Sequence, residues 1–135
     1  MTYTRNAVYN SVANAVKTAY PNTFCTSRYV AKPPSFPACY IHEIDRMRTF
    51  QGTQLDFKDV QWESVFEVQV VSAKEGSAAS EAYAIMDEVR NALNRLYYRE
   101  TSETNIDSFD TFVIVGRFRR VIGGGDEMPI EETGE

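Results

Sequence analysis

The sequence predicts an α+β domain in which a mostly antiparallel four-stranded sheet carries two helices on one face. Three observations lead there. Two stretches repeat apolar residues at three- and four-residue steps, the mark of an amphipathic helix. Four others are rich in β-branched and aromatic residues, several of them alternating with polar ones. Their order is α-β-β-arm-β-α-β, the arm being a polar stretch over 46–61. Helices and strands mixed in that order bury their apolar faces best as a sheet with helices on one side.

The first helix is expected over 4–20, where Val8, Val12, Ala15, Val16 and Ala19 form one stripe. Pro21 lacks an N–H and disfavours helix in the residue before it, so the helix stops there. A short strand is expected over 24–30. Pro33, Pro34 and Pro37 then fall within five residues and make a stiff extended linker. A second strand over 38–45 places Tyr40, His42 and Ile44 on one face and Cys39, Ile41 and Glu43 on the other.

Residues 46–61 show neither period clearly, and Met47, Phe50, Leu55 and Phe57 are scattered along them. A structureless loop of that length is uncommon in a compact domain. The stretch is expected to be a β-arm projecting from the sheet or a loop that orders on a partner. The third strand, over 62–73, is the clearest: Ser64, Phe66, Val68 and Val70 alternate with Glu63, Val65, Glu67, Gln69 and Val71. A second helix follows over 78–98, with Ser77 as its N-cap and Ala82, Ile85, Met86, Val89, Ala92, Leu93, Leu96 and Tyr97 on its inner stripe. Residues 101–107 are read as a polar turn. The last strand spans 109–122 and sets Phe112, Ile114, Gly116, Phe118 and Ile122 on one face, interrupted by Arg120.

The 135 residues are one ordinary domain, taken as 1–125 with the arm at about 46–61, followed by a flexible acidic tail over 126–135. The net charge of −5 resides in that tail, which holds five acids and no base. The 14 bases then face 14 acids, so the body is neutral. A neutral body argues against duplex nucleic acid as the main partner, which demands a basic surface. No apolar run approaches the roughly 18 residues of a membrane span, and the N-terminus lacks the layout of a secretion signal. Synthesis in a cytoplasm and no membrane partner are expected. Cys25 and Cys39 sit among apolar residues and read as buried, reduced thiols.

The search for chemistry yields little, and no catalytic residue, cofactor or metal is expected. His42 is the only histidine, and on a strand Glu43 points away from it. No nucleophile elbow is present, and Gly123-Gly124-Gly125 has no Lys-Ser/Thr after it to complete a phosphate cradle. The basic cluster Arg117, Arg119 and Arg120 has two readings. It is a wet strand face matched by acids such as Glu63 and Glu67, or it carries contacts between subunits or to a negative channel. Arg46 and Arg48 at the base of the arm have the same two readings.

The order and spacing of these segments resemble a known family. A first helix and strand lead to the proline-rich run Pro34-Ser35-Phe36-Pro37-Ala38-Cys39-Tyr40-Ile41, and the polar arm follows. Phe66-Glu67-Val68-Gln69-Val70-Val71-Ser72 then leads through Gly76 to Ala84-Ile85-Met86-Asp87-Glu88-Val89-Arg90-Asn91-Ala92-Leu93. The chain closes on Phe118-Arg119-Arg120-Val121-Ile122-Gly123-Gly124-Gly125-Asp126. Over about 5–126 this is similar to the tail terminator (tail completion) proteins of long-tailed bacteriophages.

The resemblance implies a structural virion protein, not an enzyme. It implies a homo-oligomer, a hexameric ring at the head-proximal end of the tail tube. That ring stops tube polymerisation, joins the tail to head-completion (connector) proteins, and passes genomic DNA through its lumen without reading its sequence. The expected location is the tail neck of the virion, with host cytoplasm during assembly. The expected interface residues are Arg46, Arg48, Phe50, Phe57, Arg117, Arg119 and Arg120. The alternatives are another neck protein such as a head-closure subunit, a small α+β binding module, and a metal-dependent nuclease.

Overall fold

A computed structural model describes residues 4–30, 32–49, 61–74, 76–108 and 110–123. The element order is α1 (Arg5–Ala19), β1 (Phe24–Thr26), β2 (Ala38–Thr49), β3 (Gln61–Ser72), α2 (Ala78–Arg95), β4 (Arg99–Asp107) and β5 (Phe112–Gly123). The class is α+β, as the sequence indicates. The sheet, however, has five strands in the order β1-β2-β3-β5-β4, and it is mixed: β1 runs parallel to β2, and the other pairs are antiparallel.

Both helices lie on one face of this sheet. Val8, Val12 and Val16 of α1 and Ala82, Ile85, Met86, Val89 and Leu93 of α2 are buried with Cys39 and Ile41 of β2. Phe66, Val68 and Val70 of β3 and Phe112, Ile114, Phe118 and Ile122 of β5 complete the core. Each fully buried aliphatic side chain contributes about 1.5–3 kcal/mol over leaving it exposed. Gly116 sits in this layer because space is short. A Cβ there would stand 3.0 Å from Phe118 and 3.3 Å from the Met86 sulfur.

The helix ends follow from local chemistry. The Thr4 side chain accepts a hydrogen bond from the Ala7 N–H and caps α1. Ser77 occupies the N-cap position of α2 but makes no side-chain capping bond, contrary to expectation. Instead, the Ser72 hydroxyl donates to Glu81 in the first turn, where a carboxylate also suits the helix dipole. The second helix ends before the expected Tyr98. Tyr97 takes a left-handed φ of 68°, which turns the chain and returns Tyr98 into the core.

Three strand assignments are corrected. The stretch over 101–107 lies within β4, a strand paired with β5 along its length. All nine of its residues are exposed, so no buried face imposes an alternation on the sequence. β1 is three residues long and parallel, because the connection through Pro33, Pro34 and Pro37 returns the chain to the same end of the sheet. β2 runs on to Thr49, beyond the expected end at Asp45, so the base of the arm is ordered ladder with β3. A bulge between Glu43 and Asp45 hides this extension. One extra residue, Ile44, shifts the alternation by one place. The remaining arm residues 50–60, Phe50 and Phe57 among them, and the tail over 126–135 lie outside the described residues.

Candidate functional site

The bulge sorts the predicted interface residues onto two sides of the sheet. Before it, the ladder sets Glu43 opposite Phe66 on the helix side and His42 opposite Glu67 on the open side. After it, Arg46 pairs with Ser64 and Arg48 with Trp62, so both arginines stay on the side of Glu43. Arg117 and Arg119 stand on the opposite face, which neither helix covers. Arg120 returns to the helix side. The seven predicted residues therefore do not form one patch, and two of them lie outside the described region.

The open face is held by ion pairs between strands. Arg117 Nε donates to Glu67 Oε2 at 3.0 Å, and Arg119 Nη2 donates to Glu63 Oε2 at 2.6 Å. His42 Nε2 lies 3.7 Å from the other oxygen of Glu67. Partial burial holds the His42 pKa below its usual value, opposed by the Glu67 charge. The Tyr40 ring stacks on His42 at 4.1 Å, and Tyr29 meets Tyr40 edge-on at 6.0 Å. Both arginines are about half exposed, so each pair is worth at most about 1 kcal/mol. They set a polar strip across a face that also carries Val65, Val71, Val113, Val115 and Val121, but they do little to hold the fold together.

On the helix side, the same strands carry a buried polar node that the sequence reading placed without recognising. The Glu43 side chain is only 2% exposed. It accepts from Arg46 Nε at 2.9 Å, Arg5 Nε at 3.1 Å and Ser64 Oγ at 2.6 Å. Tyr98 O–H in turn donates to Ser64 Oγ at 2.8 Å. Burial pushes the Tyr98 phenol up to about 12, partly offset by its bond to Ser64. One signal was available in the sequence: a carboxylate in phase with Cys39 and Ile41 must find cations once buried. Ser64 is fully buried, so this chain of hydroxyls is an anchor for the hairpin and not a nucleophile with access to substrate.

Arg120 explains the break in the apolar face of β5. Its Nη1 donates to the Leu96 carbonyl at 2.8 Å, satisfying an orphan group at the end of α2, and it lies 5.3 Å from the Tyr97 ring centre. Arg48 sits 5.5 Å over the Trp62 ring. Arg90 on α2 gathers Asp87, Glu100 and Glu103, and so ties that helix to β4.

Two other features remain. Cys25 and Cys39 face each other directly in the parallel ladder. Their mutual hydrogen bond holds the half-buried Cys25 thiol below its usual pKa and pushes the buried Cys39 thiol well above it. Beside His42, a hollow of about 460 Å³ opens where β1 stops, lined by Arg5, Tyr9, Arg28, Tyr29 and Glu43 among others. His42 is one of the lining residues, and its Nδ1 atom is buried without a hydrogen-bond partner among the described residues. Among the described residues, no three His, Cys, Asp or Glu side chains converge to hold a metal ion.

Comparison with known proteins adds the fold and no more. No family model matches the chain, and no curated protein matches it. Several solved structures match; one of them, designated by an identifier that states no activity or partner, does so at a TM-score of 0.56 with 12% identity. The alignment covers 93% of this chain and 95% of that one. Agreement over nearly the full length of both chains makes this a shared architecture.

Proposed function

We propose that the protein is a structural subunit of a long-tailed bacteriophage, a tail terminator acting as a ring at the head-proximal end of the tail tube. In this reading the ring stops tube polymerisation and joins the tail to head-completion proteins, and DNA passes through its lumen. The observation that carries it is the order and spacing of segments from the proline-rich run through the second helix to the closing arginine strand. The architecture is compatible. Two helices cover one face of the sheet, while the other is left with the ordered polar surface of Arg117, Arg119, Glu63 and Glu67. A closed ring needs a heterologous contact, one patch meeting a different patch on the next subunit, and leaves such a face free to meet the lumen or the tube. Arg117 and Arg119 are already matched by carboxylates, so the lumen they could border would not grip DNA.

The test is native mass spectrometry and negative-stain imaging of the purified chain with and without its tail tubes. Closed rings, or rings found at tube ends, are expected. A persistent monomer that ignores tube ends refutes the reading. An Arg117→Ala/Arg119→Ala double variant is expected to fold normally and to lose ring assembly or tail joining. Retention of both functions removes these residues from the interface. The hollow beside His42 favours a second reading, a small binding module, which a monomer would leave standing.

A further inference from the structure

The sheet has two open edges of similar length at opposite ends, and their charges are opposite. At one end is β4 (Arg99–Asp107), with β5 on one side and no strand on the other among the described residues. Its nine residues are all exposed, and it contains neither proline nor lysine; the protection it has is the bulge between Glu100 and Ser102 and its four charged side chains, which select an oppositely charged edge. At the other end, β1 pairs with β2 only from Ala38 to Tyr40. From Ile41 to Thr49 the β2 backbone has β3 as its one neighbouring strand among the described residues. The hollow beside His42 is the start of this uncovered edge.

Charge and direction agree. Over 41–49 the β2 strand itself is balanced, Arg46 and Arg48 against Glu43 and Asp45, and Arg5 and Arg28 beside it add two positive charges. On β4, the anions Glu100, Glu103 and Asp107 outnumber Arg99 by two, and still by one when Arg90 of α2, which pairs with Glu100 and Glu103, is counted with them. Three successive antiparallel pairings, β2 to β3 to β5 to β4, make β4 antiparallel to β2. A second copy placed head to tail in the plane of the sheet therefore brings its β4 antiparallel against the first copy's β2. That pairing leaves the same two edges free at the ends, as a closing ring requires.

We infer that β4 of one copy docks along the open edge of β2 of the next, so that successive sheets join into one continuous sheet around the assembly. This rests on the ring reading and specifies its contact. Backbone hydrogen bonds supply the affinity, and the acidic strand meeting the arginine-lined edge sets the partner. The Tyr29, Tyr40 and His42 rings line the hollow at the start of this edge.

Hydrogen exchange of the full chain, compared between its monomeric and ring fractions, tests the contact. Amides of β4 and of Ile41–Arg48 are expected to exchange at least about tenfold slower in the ring. Rings that form without added protection at either edge overturn the inference and leave the ring reading intact. A chain that is monomeric under all conditions, tube ends included, overturns both. Protection of the β2 edge in the monomer, lost on deleting 126–135, assigns that edge to the chain's own acidic tail and overturns the inference. Neighbouring strand residues point their N–H groups to opposite sides, so Thr104→Pro and Asn105→Pro provide an independent check. One of the two removes a donor that faces outward, and that variant is expected to fold and stay monomeric. If both variants form rings like the parent, the inference fails.

Discussion

Replacing Glu43 by Gln tests whether the buried node holds the long β2–β3 hairpin to the helices. Glutamine keeps the shape and can still accept from Ser64 but loses the charge. The bond from Arg46 is charge-assisted and partly buried, and a bond of that kind contributes about 1.5–3 kcal/mol. Arg5 is 71% exposed, so its share is below about 1 kcal/mol. The Ser64 hydroxyl loses an ionised acceptor in a fully buried site, which costs about 1 kcal/mol more. The expected loss is therefore about 2–4 kcal/mol, a fall in Tm of roughly 10 °C for a domain of this size. Urea and thermal unfolding should be read beside Glu63→Gln, which breaks the exposed pair with Arg119 and is expected to cost at most about 1 kcal/mol. If Glu43→Gln is no less stable than Glu63→Gln, the node does not anchor the hairpin.

Three further outcomes are expected. Tyr98 has a folded pKa of about 12 against 10.0 for the free side chain, so above pH 10 the unfolded state releases the phenol proton first. Its contribution is therefore complete below pH 10 and is lost as pH rises toward 12, about 2–3 kcal/mol over that window. Tyr98→Phe should flatten this part of the stability–pH curve, and an unchanged slope would refute the assignment. Gly116→Ala is expected to destabilise by about 1–3 kcal/mol in thermal unfolding, because its Cβ would press on Phe118 and Met86. Equal or higher stability would mean that the Met86 side chain makes room. In native protein an alkylating reagent is expected to modify Cys25 well before Cys39, since Cys25 is the accessible thiol and the one with the lowered pKa. Equal rates by peptide mass mapping would contradict that order.

Much of the fold was legible because most elements bury one face. The stripes of α1 and α2 and the alternation along β3 and β5 each reflect contact with a core, so their positions emerged to within a few residues. β4 buries nothing, and its stretch Thr-Ser-Glu-Thr-Asn-Ile-Asp over 101–107 consequently reads as a turn. Its strand character comes from pairing with the next strand, β5, and backbone pairing without a buried face leaves no apolar alternation to read. The extension of β2 was concealed by a phase shift, since a period of two is lost to the eye when one residue is inserted at Ile44. The parallel course of β1 depends on where a proline-rich connection leads, which spacing does not encode. Of the candidate site, the pairing of Arg117 and Arg119 with Glu67 and Glu63 was read as one of two options. The role of Arg120 as a helix cap was not read at all, because it depends on α2 ending beside β5.

The β2–β3 hairpin also has a mechanical consequence. Twelve residues per strand make a ribbon about 40 Å long. At one end Cys39 and Val70 are embedded under the helices, and at the other Thr49 pairs with Gln61 at the root of the arm. The bulge and the Glu43 node lie between the two, so the ribbon is pinned at its middle as well as at its buried end. The node ties it to the start of α1 through Arg5, and through Ser64 to Tyr98 just beyond α2. The stretch from Asp45 to Thr49 is therefore the overhang of a beam with two supports.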